Sequence, residues 1–395
     1  MIIATKQPEK VGFSTERLQR ISDVMHGYID RGDTGGILTL VERQGETVHM
    51  AKCGYQDVAA RKALEFDHIF RIYSMTKPIV SMALMMLFEQ AKFHLSEPIY
   101  KYLPEFKGIK VWEAGGKLVP PKTVPTIKHL LTHTAGLTYG FFGETDVDKL
   151  YQSANLFDNS QTLEEMVKKV ADLPLICHPG ERWVYSVSID VVGRLVEVLS
   201  GISLADFLQE KIFDPLGMVD TSFSIPEEKI GRLTSCYAQT EQEKLFLEDP
   251  GENSAYRNIR LYSGGGGLLS TLEDYRRFTR LILNQGELNG VRLVGRKTLE
   301  LMGSNHIPAN LLPLAVTDPF PGFGFGIGFS VLMDISQTQA LGSVGTLGWS
   351  GMASTDFWVD PQEDLIAIIM TQLIPLDEFN LHADFRNLVY QALIA

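Results

Sequence analysis

Cysteine is scarce. Only Cys53, Cys177 and Cys236 occur in 395 residues. An odd number with no CxxC spacing reads as reduced thiols, the pattern of a cytoplasmic protein, with a bacterial periplasm as second choice. Clustered basic charge is also missing. The net charge is −12 and no run of five basic residues occurs, which argues against nucleic acid as partner. Long apolar runs are absent. The start, MIIATKQPEKVGFSTERL, has no apolar stretch of signal-peptide length. The longest runs, such as SMALMMLF (81–88), are too short to cross a bilayer, so no membrane partner is expected. No internal repeat, low-complexity tract or linker is visible.

What remains is an ordinary globular composition, 45% hydrophobic and 21% charged. A chain of this length buries about three quarters of its unfolded surface and suits two domains, or one large domain with an insertion. Residues 14–33 fit a helix capped by Ser14, with Leu18, Ile21, Met25 and Ile29 on one face. GGILTLVERQGETVHMAKCGY (35–55) reads as a hairpin turning at Gln44-Gly45. An apolar helix is expected over about 74–92. Residues 104–143 are irregular, and helical patterns return at 162–173, 188–200 and 203–212. SGGGGLLSTLEDYRRFTRLILNQG (263–286) is a glycine turn, an N-cap at Ser270 or Thr271, and an amphipathic helix. GFGFGIGFSVLM (322–333) alternates as a strand. STDFWVDPQEDLIAIIMTQ (354–372) reads as strand, turn, strand around Pro361, and a last helix covers about 376–394.

Strands near both ends with helices between imply an α+β fold. One antiparallel sheet is shared by the two ends and flanked by helices, and a mostly helical second domain is inserted. The expected division is 1–92 with 255–395 for the sheet domain and 93–254 for the helical one. The active site is expected at their interface.

The chemistry centres on RIYSMTKPIV (71–80). Ser74 and Lys77 are i,i+3 neighbours on one helical face. Pro78 lacks an N–H and fits only near a first turn, so Ser74 stands at the helix N-terminus. The positive end of the helix dipole favours neutral lysine and an anionic oxygen at the serine. A serine with an adjacent base is a nucleophile in waiting. The bland reading is a capping serine beside a solvated lysine.

RIYSMTKPIV resembles the SxxK motif of the serine β-lactamase and penicillin-binding-protein superfamily. HLLTHTAGL (129–137), HPGERWVYS (178–186), DPLGMVDTSF (214–223), SGGGGLLSTLEDYRRF (263–278), GFGFGIGF (322–329) and GTLGWSGMASTDFWVDP (345–361) are similar to further signature stretches, in the same order. The resemblance spans roughly residues 10–375 and is greatest to class C β-lactamases and family VIII carboxylesterases. It implies Ser74 as the acyl-forming nucleophile, Lys77 as its base and Tyr185 as the proton-shuttling tyrosine. A second Y-x-N, at Tyr256-Arg257-Asn258, lacks the matching flank. The third motif falls at Trp349-Ser350-Gly351, assigned to substrate binding. The backbone N–H groups of Ser74 and Met352 would form an oxyanion hole.

The family's lactamases follow their tyrosine with Ala-Asn and carry lysine where Trp349 stands. Here Ser186 and Val187 follow Tyr185. These departures imply a carboxylesterase acting on small short-acyl esters. The alternatives are a β-lactamase or D-Ala-D-Ala carboxypeptidase, and a non-catalytic binding protein on the same scaffold. No cofactor is expected. His129 and His133 have i,i+4 spacing but no apparent third ligand, and metal is not expected. GGGG (264–267) lacks the Lys-Ser/Thr of a phosphate loop. GFGFGIG lacks a GxGxxG register, and its glycine face suits close backbone approach. The elbow GxSxG is absent. Met82, Met85 and Met86 read as core filling behind the nucleophile.

Overall fold

The computed structural model describes residues 6–240, 244–376 and 379–395. The hairpin forms where the sequence places it. Strands β1 (Gly36–Arg43) and β2 (Glu46–Asp57) meet at Gln44-Gly45, both with positive φ, the backbone a tight two-residue turn requires. A short β3 (Lys62–Ala63) adds to β2. The C-terminal strands are β4 (Phe323–Phe325), β5 (Ser330–Leu332), β6 (Leu347–Ser350), β7 (Asp356–Asp360) and β8 (Leu365–Met370). Together they make one eight-stranded sheet ordered β4-β5-β6-β7-β8-β1-β2-β3, and every pairing is antiparallel. The two ends of the chain join in the middle of it, with Leu38 opposite Met370 and Arg43 opposite Leu365.

Every residue of β1 and β8 is buried, because helices cover both faces. Alternation divides each strand between two cores. Leu365, Ala367 and Ile369 pack with helices α1 (Thr15–Asp30) and α8 (Leu381–Gln391). Ile366, Ile368 and Met370 face the larger core that holds α2 (Thr76–Glu89) and α7 (Leu272–Leu283). Ser14 caps α1, and Thr271, the second of the two candidates, caps α7 through the Asp274 N–H. Residues 93–254 supply α3 (Ile127–Leu131), α4 (Leu163–Ala171), α5 (Ser188–Ser200) and α6 (Leu204–Leu208).

Three sequence expectations are corrected. The alternating 322–333 stretch is a hairpin rather than one strand, because Gly328 at φ 85° turns the chain between β4 and β5. The close approach expected of its glycines is present. A Cβ on Gly326 would lie 2.1 Å from the Met302 carbonyl. The helix expected at 203–212 becomes a π-helical turn after Leu208. The last helix starts at Leu381, and residues 377 and 378 of its expected span lie outside those described. No helix among the described residues is long and apolar enough to cross a membrane. The three cysteines are buried free thiols.

Candidate active site

Ser74 lies in a 3-10 turn (Tyr73–Met75) that runs directly into α2, so it precedes the helix rather than opening it. Pro78 is the third helical residue, where its missing N–H breaks no intrahelical bond. Tyr73 holds φ 41°, an uncommon conformation for an aromatic residue, at the position just before the serine. Neighbouring chain fixes this corner. Phe70–Arg71 pairs with Leu269–Ser270, the Ile72 N–H donates to the Leu268 carbonyl, and the Leu268 N–H donates to Thr76 Oγ1. Arg71 is fully buried and anchors the approach through Asp249, the Thr234 carbonyl and Ser254.

This zipper brings the glycine run onto Lys77. Lys77 Nζ lies 2.9 Å from Ser74 Oγ and donates to the Gly265 carbonyl at 2.6 Å. Lys77 is fully buried, and that burial brings its ammonium down to about 7, against the opposing pull of the Asp190 carboxylate. Near neutral pH, half of the molecules then carry a free amine aimed at the serine hydroxyl.

Tyr185 shares this corner. Its ring centroid is 4.5 Å from Lys77 Nζ, and its hydroxyl accepts from Trp349 Nε1 at 3.1 Å. Burial raises its phenol well above the ordinary tyrosine range, although hydrogen bonding with Ser74 and Trp349 pulls the other way. Tyr185 therefore stands as a protonated phenol. His133, Trp183 and Trp349 pack around its ring at centroid distances of 4.9, 6.0 and 5.3 Å. Tyr256 also borders the cavity described below, but its ring lies against the Arg71 guanidinium at 5.6 Å. Of the two tyrosines, the one beside Lys77 is Tyr185.

The third motif lies on β6 and the turn after it. Trp349 positions the Tyr185 hydroxyl, and Ser350 Oγ donates to Asp356 at 3.0 Å. A Cβ on Gly351 would lie 2.5 Å from the Ile72 carbonyl, so only glycine lets β6 close onto the Ser74 turn. None of these three residues lines the cavity, whereas Met352 does.

That cavity holds about 420 Å³. Ser74, Tyr185 and the glycines 265–267 form one side, and Tyr139, Phe141, Phe142 and Phe157 another. Tyr73, Tyr256, Asn159, Ile259, Leu261 and Ser263 complete it with Met352. No lining residue is charged. The four aromatic rings 139, 141, 142 and 157 contact one another at 4.6–6.1 Å. Sequence reasoning missed this wall. The run YGFF at 139–142 was its only local signal, inside a stretch that reads as irregular.

His129 and His133 do not form a helical pair. α3 ends at Leu131, and His133 has φ 53°. His129 Nδ1 accepts from the Thr126 N–H as part of a capping box, while His133 Nδ1 meets Ser186 Oγ at 3.2 Å. Among the described residues no group of three or more His, Cys, Asp or Glu is arranged to hold a metal ion.

A serine turn held against a buried lysine and tyrosine, in a chain whose two ends build one antiparallel sheet, fits the β-lactamase class of serine hydrolases. The Beta-lactamase family model matches residues 21–391, and the chain belongs to that family. It is 32% identical to Protein Rv1367c of Mycobacterium tuberculosis (88% of each chain). It is 29% identical to Esterase EstB of Burkholderia gladioli (85% of each). Among solved structures, EstCE1, a hydrolase with promiscuous acyltransferase activity, superposes with TM-score 0.81 at 25% identity. The match covers 95% of this chain and 99% of that one.

Proposed function

We propose that this protein is a carboxylesterase that cleaves small, short-acyl esters through an acyl-enzyme on Ser74. The observation that carries the reading is the Lys77 amine, poised near neutral pH and 2.9 Å from Ser74 Oγ, beside an uncharged aromatic cavity. Lys77 takes the hydroxyl proton as Ser74 Oγ forms a bond to the ester carbonyl carbon. Charge moves to the carbonyl oxygen, which the N–H groups of Ser74 and Met352 receive. Tyr185, a phenol rather than a phenolate, relays a proton to the departing alkoxide. Water then releases the acid by the reverse sequence. Trp349 acts by orienting the Tyr185 hydroxyl. The named activity of Esterase EstB supports an esterase over the two alternatives. The cavity borders draw on both 1–92 with 255–395 and 93–254, which supports the same division for the domains.

The lining supports neutral substrates. A β-lactam carboxylate entering here meets no charged lining residue, and an unpartnered charge in an apolar site is disfavoured. Losing one charge-assisted contact costs about 1.5–3 kcal/mol, or one to two factors of ten in binding. The test compares kcat/KM for p-nitrophenyl butyrate and nitrocefin on one preparation. The ester is expected to be turned over far better. Nitrocefin as the better substrate replaces this reading with a β-lactamase.

A further inference from the structure

The glycine run and the start of α5 meet behind Lys77. Asp190, in the first turn of α5, is fully buried. Its Oδ1 accepts from the Gly265 N–H at 3.0 Å and from Ser263 Oγ at 2.5 Å. Its Oδ2, equally buried, has no hydrogen-bond partner. The same Gly265 offers its carbonyl to Lys77 Nζ, so one residue links carboxylate and amine. The approach is close enough to forbid a side chain. A Cβ on Gly265 would fall 2.4 Å from Asp190 Oδ2 and 2.7 Å from the Tyr139 hydroxyl, and one on Gly264 would fall 2.5 Å from the Ile189 carbonyl. Gly264 and Gly265 thus have a structural reason: they let the start of α5 and its buried carboxylate reach the back of the lysine.

A buried carboxylate with one idle oxygen is expensive unless a positive charge offsets it. Lys77 is the cation that faces it, and the other titratable groups there are the phenols of Tyr139 and Tyr185. Lys77 itself also faces His133, whose burial together with Lys77 holds the imidazole neutral. When Ser74 loses its proton, the O–H bond breaks, an N–H bond forms on Lys77, and an ammonium appears on a fully buried side chain. A fixed anion nearby stabilises that state without reorganisation.

We propose that Asp190 is a positioning residue for Lys77. It fixes the amine on Ser74 through Gly265 and balances the charge the amine gains when it takes the serine's proton. This rests on Ser74 and Lys77 acting as proposed above. The decisive variant is Asp190→Asn, which keeps an oxygen for the Gly265 and Ser263 donors and removes the charge. With p-nitrophenyl butyrate, the acid limb of kcat/KM is expected to move down by about one pH unit or more, since an opposite charge at short range favours the ammonium. On the plateau, kcat is expected to fall about tenfold or more with KM within about threefold. A merely structural aspartate would leave the limb in place, and an unmoved limb overturns the proposal whatever happens to kcat.

A second measurement needs no turnover. Lys77→Met strands the Asp190 charge, so adding Asp190→Asn to it should raise Tm by about 2 °C or more. An equal or lower Tm in the double variant overturns the pairing. Full turnover in Ser74→Ala would instead sink the underlying reaction, while the Tm comparison would still judge Asp190.

Discussion

The pH dependence of acylation is the sharpest consequence of burying Lys77. An ordinary lysine ionises at 10.5, and this one at about 7. Desolvation is the leading cause and Asp190 opposes it. The difference, 10.5 − 7, amounts to roughly 5 kcal/mol in favour of the free amine. At pH 7 an unshifted lysine is neutral in about one molecule in 3,000, and this one in about half. If the free amine is the base, kcat/KM follows its population. Dropping from pH 7 to pH 5 should lower the rate about fiftyfold. Rising from pH 7 to pH 9 should add only about a factor of two, against nearly a hundredfold for an unshifted lysine. The alkaline side therefore discriminates. Release from p-nitrophenyl butyrate is followed at the wavelength where phenol and phenolate absorb equally, so that the reporter's own ionisation does not enter. Continued tenfold rises per pH unit above pH 8 would refute the depressed lysine, and a flat profile from pH 5 to 9 would refute lysine as the base.

Two further outcomes are expected. Tyr185→Phe should cut kcat by about 10²–10⁴ while leaving the fold intact, whereas Tyr256→Phe, whose ring faces Arg71, should change kcat by less than about tenfold. Steady-state kinetics of the two variants checks this, and the reverse order would exchange the tyrosines. A serine-directed phosphonate should add a single adduct at Ser74, and Ser74→Ala should lose both adduct and turnover. Intact mass and peptide mapping check it, and labelling at another serine defeats the assignment.

Local chemistry made much of this protein legible from its residues alone. Ser14 opens its helix, Gln44-Gly45 turns its hairpin and one of Ser270 and Thr271 opens the next helix, by capping and turn preferences that act over three or four residues. The buried runs GILTLVER and LIAIIM announce strands covered on both faces. Ser74 and Lys77 were legible because helical spacing joins them, and Tyr185 and the Trp349-Ser350-Gly351 turn because their flanks form recognisable signatures. Contacts between residues distant in the chain were not. Asp190 sits 113 positions after Lys77, and nothing in YSVSID marks an aspartate that will be fully buried. The depressed lysine, the phenol that stays protonated and the wall of Tyr139, Phe141, Phe142 and Phe157 all depend on which surfaces exclude solvent. Desolvation is a property of the packed volume around a group. A sequence states the group, and only the tertiary fold decides how much water is left beside it.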